Sequence, residues 1–273
     1  MPVSPARSVL ITGASAGIGA ATAERLLARG WQVIAVGRRL EAMAPLADQG
    51  AVVLPLDLAD PASRQALAQE LEQRVGPLDA LVNNAGFAHV GPLETMPLDQ
   101  ARAIFEVNVF GLMDLTRLLL PAMRVRGQGR IVNISSIAGR WVTPGSGWYG
   151  ASKFALEALS DALRIELSRF GLQVVVVEPG LIGTEFADRT GPSLNGSLDC
   201  PVYGSMMARV RDSWRSVYQG ASPPDTVART VETALTVAHP RARYLCGHRS
   251  SSVIAQRFLP TALWDRILAL QMT

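Results

Sequence analysis

Short apolar stretches alternate along the chain with longer segments of mixed polarity. The short stretches are rich in Val, Ile and Leu, which is typical of strands. The four valines at 174–177 are consecutive, so both faces of that strand should be covered. The predicted strands are residues 8–11, 32–36, 52–56, 80–82, 130–134, 173–177 and 243–246, and the predicted helices are residues 18–29, 61–74, 98–124 and 149–170.

This alternation predicts an α/β protein. Strands that are separated by helices form a parallel sheet with right-handed crossovers and helices on both faces. We therefore expect a doubly wound parallel sheet of about seven strands. The sequence has no internal repeat, low-complexity tract or linker, so we expect a single domain over residues 1–273.

Residues 183–222 break the alternation. Turns are predicted at Gly191-Pro192 and Asn195-Gly196, and again at Pro223-Pro224 just beyond the segment. We expect an excursion from the sheet, in which short helices are allowed, rather than a second domain. Excursions at strand ends often carry binding loops, so this segment is the candidate substrate loop.

Composition excludes several classes of protein. Hydrophobic residues make up 48% of the 273 residues and charged residues 18%, which is unlike a disordered or fibrous chain. The net charge of +3 comes without basic clusters, so we expect no nucleic-acid partner. Two cysteines and three scattered histidines give no disulfide scaffold and no metal site. No apolar stretch reaches about 18 residues and no signal-peptide pattern opens the chain, so we expect no integral membrane segment and a cytoplasmic location.

A glycine-rich loop follows the first predicted strand. Residues 12–19 read Thr-Gly-Ala-Ser-Ala-Gly-Ile-Gly and open the first predicted helix. Glycines allow a tight turn and a close approach of backbone N–H groups to a pyrophosphate, and the helix N-terminus adds partial positive charge. A purely structural turn is the alternative, but a strand before and a helix after favour phosphate binding.

Further motifs follow in a fixed order. Asp57-Leu58 follows the third predicted strand, Asn83-Asn84-Ala85-Gly86 follows the fourth, and Asn108 lies in the next helix. Ser136 precedes Tyr149 by 13 positions, Tyr149-x-x-x-Lys153 opens a helix, and Pro179-Gly180 ends the sixth strand. Together with the glycine loop, these motifs resemble the classical short-chain dehydrogenase/reductase family over about residues 8–185.

The resemblance implies a Rossmann-type domain that binds a nicotinamide cofactor. At the end of the second strand, Gly37 stands where an acid would accept a bond from the ribose of NAD, and Arg38 follows, so the chain resembles the NADP-preferring branch. The alternative for Arg38 and Arg39 is that they are plain surface charges. The alternative for Asn83 or Asn84 is a role in the turn alone. The implied cofactor-binding residues are Gly13, Ser15, Gly17, Ile18, Gly19, Arg38, Asp57, Leu58, Asn84, Tyr149, Lys153, Pro179, Gly180, Ile182 and Thr184.

Tyr149 and Lys153 share one helix face because they are four residues apart. A nearby ammonium favours the phenolate, so we expect Lys153 to lower the pKa of Tyr149. Of 26 basic residues in the chain, Lys153 is the single lysine, and a compact ammonium suits this role better than a guanidinium. A surface pair is the alternative.

Ser136 and Asn108 complete the predicted catalytic set. Ser136 lies at a strand end and can hold a substrate oxygen near Tyr149, with Ser135 as the competing candidate. Asn108 lies in an apolar stretch and must find polar partners. In members of the family, the residue at this position supports a water chain that reaches the lysine; a capping or helix-kinking role is the alternative.

The motifs imply hydride transfer between NADP(H) and a carbonyl/alcohol pair, with Tyr149 as the proton donor in reduction. A non-catalytic NADP sensor and a 3-oxoacyl-type reductase are the rival functions. The family also implies a homodimer or homotetramer through the helices at 98–124 and 149–170.

Apolar residues in two segments predict a hydrophobic ketone, aldehyde or secondary alcohol as the small-molecule substrate. The segment at 240–247 also resembles the steroid- and retinol-dehydrogenase-like branch. The alternative is that these apolar side chains only close a small core of their own. The apolar candidates are Leu181, Ile182, Phe186, Tyr203, Met206 and Met207 in and beside the substrate loop, and Phe258, Leu259, Leu263, Trp264, Ile267 and Leu268 in the tail.

Overall fold

The computed structural model describes residues 6–251 and 259–272. Its sheet has seven parallel strands in the order β3-β2-β1-β4-β5-β6-β7. Both the α/β class and the predicted strands are confirmed. The strands are β1 (Ser8–Thr12), β2 (Gln32–Gly37), β3 (Val52–Pro55), β4 (Ala80–Asn83), β5 (Gly129–Ile134), β6 (Leu172–Pro179) and β7 (Arg243–Cys246).

Helices cover both faces of this sheet. The α-helices of the described residues are α1 (Gly17–Leu27), α2 (Ala44–Asp48), α3 (Pro61–Arg74), α4 (Leu98–Phe105), α5 (Leu112–Arg126), α6 (Gly147–Ser168), α7 (Glu185–Gly196), α8 (Gly204–Tyr218), α9 (Pro224–Thr236) and α10 (Thr261–Met272). The described residues also include a π-helical turn (Glu106–Gly111) and two short 3-10 helices (Glu41–Met43, Ile137–Gly139).

Alternate side chains of β1 belong to two separate cores. Val9 and Ile11 are fully buried against α1 and α9, whereas Leu10 is fully buried on the other face, against α3, α5 and α6. A strand that is covered on both faces must be apolar at consecutive positions. The valines of β6 follow the same rule, as the sequence predicts.

The predicted helix at 98–124 is interrupted in its middle. α4 ends at Phe105, the π-helical turn follows, and α5 runs to Arg126, where Gly127 in the left-handed conformation ends it. Close packing explains the position of Gly111, because a Cβ there would lie 2.0 Å from the carbonyl oxygen of Leu58. The π turn carries Asn108, and such turns are frequent at functional sites.

The predicted turns at 191–196 are wrong, because both dipeptides belong to α7. Pro192 lies inside that helix, where it lacks a backbone donor. Packing compensates: Leu194 is buried in a small cluster with Met207 and Val210, and Ser193 accepts a hydrogen bond from the backbone N–H of Val90 at 2.9 Å. At 223–224, α9 begins at the second proline, a position that proline favours.

Candidate active site

A large cleft of about 1170 Å³ runs along the carboxyl ends of the strands, where the strand order reverses between β1 and β4. Parallel α/β sheets bind their ligands at this place. Every predicted site residue except Gly19 and Asn108 lines it. These lining residues are Gly13, Ser15, Gly17, Ile18, Arg38, Asp57, Leu58, Asn84, Ser136, Tyr149, Lys153, Pro179, Gly180, Ile182 and Thr184.

The glycine loop turns sharply from β1 into α1. Gly13 and Gly17 have positive φ values of 68° and 56°, which glycine adopts at no steric cost. Gly19 allows the closest approach, since a Cβ there would lie 2.3 Å from the carbonyl oxygen of Gly13. Ala16, the N-cap of α1, has no side-chain acceptor for the first backbone N–H groups. The start of α1 is therefore available to an anion from the cleft.

Two arginines follow β2 at the mouth of the cleft. Arg38 is exposed and lines the cleft. Sequence reasoning gave Arg39 no binding role, yet its Nη2 donates to Ser15 Oγ at 3.1 Å and lies 3.3 Å from Glu185 Oε2. The guanidinium of Arg39 thus links the glycine loop to the start of α7.

Asp57 and Leu58 form the wall beyond β3. The carboxylate of Asp57 accepts from the N–H of Ala59 at 2.9 Å, which fixes the turn. Leu58 is only 4% exposed, so most of its side chain belongs to the core beneath the cleft.

Both asparagines after β4 have structural hydrogen bonds. Asn84 Nδ2 donates to the carbonyl oxygens of Thr12 at 2.9 Å and Gly13 at 3.3 Å, so it fastens the end of β4 to the glycine loop. Asn83 is buried and donates to Thr116 Oγ1 at 3.0 Å and Asn133 Oδ1 at 2.9 Å. The turn-only alternative is therefore wrong for both.

Tyr149 and Ser136 meet in the cleft, as the 13-residue spacing predicts. Ser136 caps the short helix after β5 through Ala138 N at 3.1 Å, and its hydroxyl is near enough to Tyr149 to lower the pKa of the phenol. Ser135 instead faces Glu157, whose pKa its hydroxyl lowers. Burial raises the pKa of Tyr149 above its ordinary value and outweighs the lowering by Ser136. The predicted lowering of this pKa is thus wrong in direction, because desolvation exceeds the stabilisation of the phenolate.

Lys153 lies one helical turn beyond Tyr149 and is 5% exposed. Its Nζ donates to the carbonyl oxygen of Ile134 at 2.9 Å and lies 5.9 Å from the centre of the Tyr149 ring. Burial lowers the pKa of Lys153 to about 8, against the opposing charge of Glu157. The surface-pair alternative is wrong, since the ammonium is enclosed.

Asn108 lies behind the lysine and is fully buried. Its Oδ1 accepts from the N–H of Phe87 at 3.0 Å, and its Nδ2 donates to Phe87 O at 2.9 Å and Ser152 Oγ at 3.1 Å. A Cβ on Gly86 would contact both Asn108 Oδ1 and Lys153 Nζ, at 3.0 and 3.7 Å. The amide therefore supports the floor of the cleft near Lys153, and its part in a proton path stays a prediction.

The segment after β6 closes the cleft from above. Gly180 lets the backbone of this segment approach His248 closely, because a Cβ would lie 2.1 Å from the carbonyl oxygen of that residue. Ile182 is buried in the core. Thr184 caps α7 through Phe186 N at 3.3 Å, and its side chain lies 3.2 Å from the Cβ position of Gly17. Here the glycine loop and the candidate substrate loop meet.

The end of the cleft beyond Tyr149 is apolar and aromatic. Phe186 packs on Tyr149 with ring centroids 5.6 Å apart, and Trp141 packs on Trp264 of α10 at 5.4 Å. Sequence reasoning missed several residues that line this end of the cleft, because the periodicity of loops and helices does not show which distant side chains come together. They include Trp141, Val210, Trp214 and Tyr218.

The apolar candidates divide into two groups. Leu181, Ile182 and Phe186 line the cleft, as do Leu259, Trp264, Ile267 and Leu268. The prediction was wrong for Tyr203, Met206 and Met207, which do not line the cleft and pack in the small cluster around α8, as the alternative expects. It was wrong also for Leu263, which is 47% exposed on the outer face of α10. Phe258 lies outside the described residues.

Across residues 6–251 and 259–272, no group of three or more His, Cys, Asp and Glu side chains could hold a metal ion. In the same ranges, no helix is long and apolar enough to cross a membrane.

Comparison with known proteins gives consistent matches. Relatives include the uncharacterized oxidoreductase YbbO of Escherichia coli, 38% identical over 96% of this chain and 94% of that protein. The NADPH-dependent 3-dehydrocapnine reductase of Ornithobacterium rhinotracheale is 33% identical over 96% of this chain and 95% of its own length.

Solved structures agree with these matches. A short-chain dehydrogenase from Streptomyces avermitilis has a TM-score of 0.78 and 33% identity, covering 98% of this chain and 95% of that one. A serine dehydrogenase complexed with NADP+ in its closed form has a TM-score of 0.77 and 30% identity, covering 88% and 94%. The family described as short chain dehydrogenase matches residues 7–194. With the seven-stranded parallel sheet and the cleft at its carboxyl edge, these matches show that the chain belongs to the short-chain dehydrogenase/reductase family of oxidoreductases.

Proposed function

We propose that this protein transfers hydride between NADP(H) and a hydrophobic carbonyl/alcohol substrate. One observation carries the proposal: Tyr149 and Ser136 line the same cleft, the enclosed ammonium of Lys153 follows Tyr149 by one helical turn, and the cleft is large enough for two ligands. Single-ligand sites usually measure about 300–1,000 Å³, and this cleft exceeds that range.

The residues at the glycine-loop end of the cleft suit a phosphorylated dinucleotide. The N-terminus of α1 has no side-chain cap, and the loop before it is built for backbone approach, so it suits a pyrophosphate. Arg38 and Arg39 follow β2 where an acid would favour NAD, and guanidinium groups suit a ribose phosphate. A relative described as NADPH-dependent and a neighbour complexed with NADP+ support the same cofactor.

Each reacting residue has a distinct task in the proposed reduction. NADPH held in the cleft would supply the hydride for the carbonyl carbon. Tyr149 carries its proton at neutral pH, since burial raises a pKa that already lies well above neutrality, and this proton is the one for the carbonyl oxygen. Ser136 holds that oxygen beside the phenol. The phenolate that forms is stabilised by the ammonium of Lys153.

The charge of Lys153 sets the alkaline limit of this chemistry. Its pKa is about 8, so the ammonium is present below that pH and is lost as the pH rises through it. Tyr149 would then lose its stabilising partner. Asn108 holds the adjoining floor of the cleft and completes the proposed proton path.

The substrate end of the cleft favours an apolar molecule. Phe186, Val210, Trp214 and Tyr218 come from residues 183–222, and Trp264 comes from α10. We propose that residues 183–222 are the substrate-covering part of one functional domain. Sugars and short hydroxy acids should bind poorly there, because few polar groups are available to replace their hydration.

Turnover of NADPH with a carbonyl panel tests the proposal. Aryl ketones, long-chain aldehydes, sugars and short keto acids are compared in kcat/KM, followed by NADPH absorbance. Tyr149→Phe should cut turnover at least about 100-fold, since it removes a positioned acid, and leave NADPH binding nearly unchanged. Tyr203→Phe is the matched control, because its hydroxyl contacts Glu94 outside the cleft. NADPH binding without turnover would indicate a sensor, and a sugar as best substrate would refute the apolar class.

A further inference from the structure

Behind the reacting groups lies a cluster of charged side chains that we name the ionic cluster: the buried carboxylates Glu157 and Glu178 and the half-buried arginines Arg140 and Arg243. The two carboxylates are 5% and 1% exposed. Arg140 Nε lies 2.6 Å from Glu178 Oε1 and 3.9 Å from Glu157 Oε2. Arg243 Nε lies 3.0 Å from Glu157 Oε2 and 3.6 Å from Glu178 Oε1. Buried charges are costly unless paired, so the cluster holds its members in a fixed arrangement.

The ionic cluster joins the elements that carry the active site. Glu157 lies on α6, one turn beyond Lys153, and Glu178 directly precedes Pro179 on β6. Arg140 follows the short helix Ile137–Gly139 that Ser136 caps. A Cβ on Gly139 would lie 2.8 Å from Ser135 Oγ and 3.1 Å from Glu157 Cγ. The segment that carries Ser136 thus rests directly on Glu157.

Charged groups reach Glu157 from every neighbouring element. Its own helix contributes Lys153 and Asp161, and Asp161 also binds Arg243 at 2.6 Å. The segment after β5 contributes Arg140, β6 contributes Glu178, and β7 contributes Arg243. Burial and the Glu178 charge raise the pKa of Glu157, whereas Arg243 and the Ser135 hydroxyl lower it.

Lys153 has a different set of neighbours. Its ammonium is bonded to a backbone carbonyl and lies beside Asn108 and the Tyr149 ring. Burial acts against the ammonium, and the negative charge of Glu157 opposes this effect. Removal of that charge should therefore lower the pKa of Lys153 further, because less would oppose the effect of burial.

We propose that Glu157 is a positioning residue that keeps Lys153 cationic and supports the segment carrying Ser136, through its place in the ionic cluster. The inference rests on the proposed function only for its effect on turnover. Its effect on Lys153 is a property of the folded chain and can be measured without substrate.

The single lysine of the chain makes a direct test feasible. Full-length protein with a lysine-free tag and lysine labelled with ¹³C at Cε should give one lysine resonance, whose titration reports Lys153 alone. Glu157→Gln should lower the pKa of that resonance by about 0.5–1 unit, since a nearby opposite charge is removed. Glu157→Asp keeps the charge, so the lysine pKa in this variant should lie close to the wild-type value. Glu166→Gln removes the same charge from an exposed position on the same helix and should leave the resonance unchanged.

The pH profile of turnover provides the second measurement. The alkaline limb of kcat/KM should move to lower pH in Glu157→Gln by the same amount as the resonance, with Glu166→Gln at the wild-type position. Melting curves for all variants separate this effect from loss of fold, and Glu157→Asp supplies the comparison if Glu157→Gln does not fold.

The outcomes separate the two proposals. An unshifted lysine pKa in Glu157→Gln overturns the inference whatever the activity, as does an equal shift in Glu166→Gln. If Glu157→Gln does not fold, the lysine pKa of Glu157→Asp is compared with that of Glu157→Ala, which lacks the charge. Equal lysine pKa values in these two variants overturn the inference. A shifted lysine resonance in a protein that reduces no carbonyl supports the inference and counts against the proposed function alone.

Discussion

Replacement of Trp264 by alanine tests whether α10 covers the substrate. The indole of Trp264 packs on Trp141 with centroids 5.4 Å apart and planes at 58°, and both rings line the cleft. An aromatic pair of this geometry contributes about 0.5–1.5 kcal/mol beyond the area it buries. That pair energy is present with and without substrate, so it orders the indole and does not enter KM. The lost apolar contact with a bulky substrate should cost about 1–2 kcal/mol in binding, or roughly 5–30-fold in KM.

The effect should depend on the size of the substrate. Trp264→Ala should raise KM for an aryl ketone by that factor and leave kcat nearly unchanged, because Tyr149 and Lys153 lie on α6 and keep their partners. KM for a ketone of three or four carbons should hardly change, because such a molecule does not extend to the far end of the cleft.

The assay is NADPH oxidation with the two ketones in parallel, for wild type and two variants. Leu263→Ala is the matched control, since Leu263 is the neighbouring residue on α10 but is 47% exposed and faces away from the cleft. An equal rise in KM for large and small ketones, or an equal effect of Leu263→Ala, would refute the role of α10 as a cover.

Two further predictions concern the cofactor and assembly. Arg38→Asp should raise KM for NADPH roughly 10-fold or more, because it removes a charge-assisted contact to the ribose phosphate, and should leave KM for NADH nearly unchanged. Equal effects on both cofactors would contradict the preference for NADP(H). Light scattering should give a homodimer or homotetramer at micromolar concentration, because Phe110, Phe154 and Ile165 are exposed at 60%, 40% and 67% on the helices expected to pair; a 29 kDa particle would count against it.

The sequence alone was sufficient for the sheet and for most of the candidate site. Each strand that is buried on both faces must be apolar at consecutive positions, and this pattern stands out in the sequence, as in the valines of β6. Because parallel strands bring their carboxyl ends to one edge, residues after strands could be placed in one cleft. Ser136 meets Tyr149 there for that reason.

Helix interruptions and loop packing could not be read from the sequence. The π turn at Asn108 depends on the close approach of Gly111 to Leu58, a contact between distant segments. Likewise, α7 contains a proline because its neighbours bury Leu194. Local propensity predicts a continuous helix at the first place and turns at the second, and tertiary packing overrides both predictions.

Residues that act through distant partners also required the structure. Arg39 contacts Ser15 and Glu185 across three separate segments, and Trp264 meets Trp141 from the far end of the chain. The direction of the Tyr149 pKa is a further case, because residue spacing reveals the nearby ammonium but not the extent of burial. The sequence determined which chemistry the residues could perform, through residue type and local spacing. The tertiary structure decided how strongly each group is desolvated and which distant side chains enclose it, because both depend on contacts that periodicity does not encode.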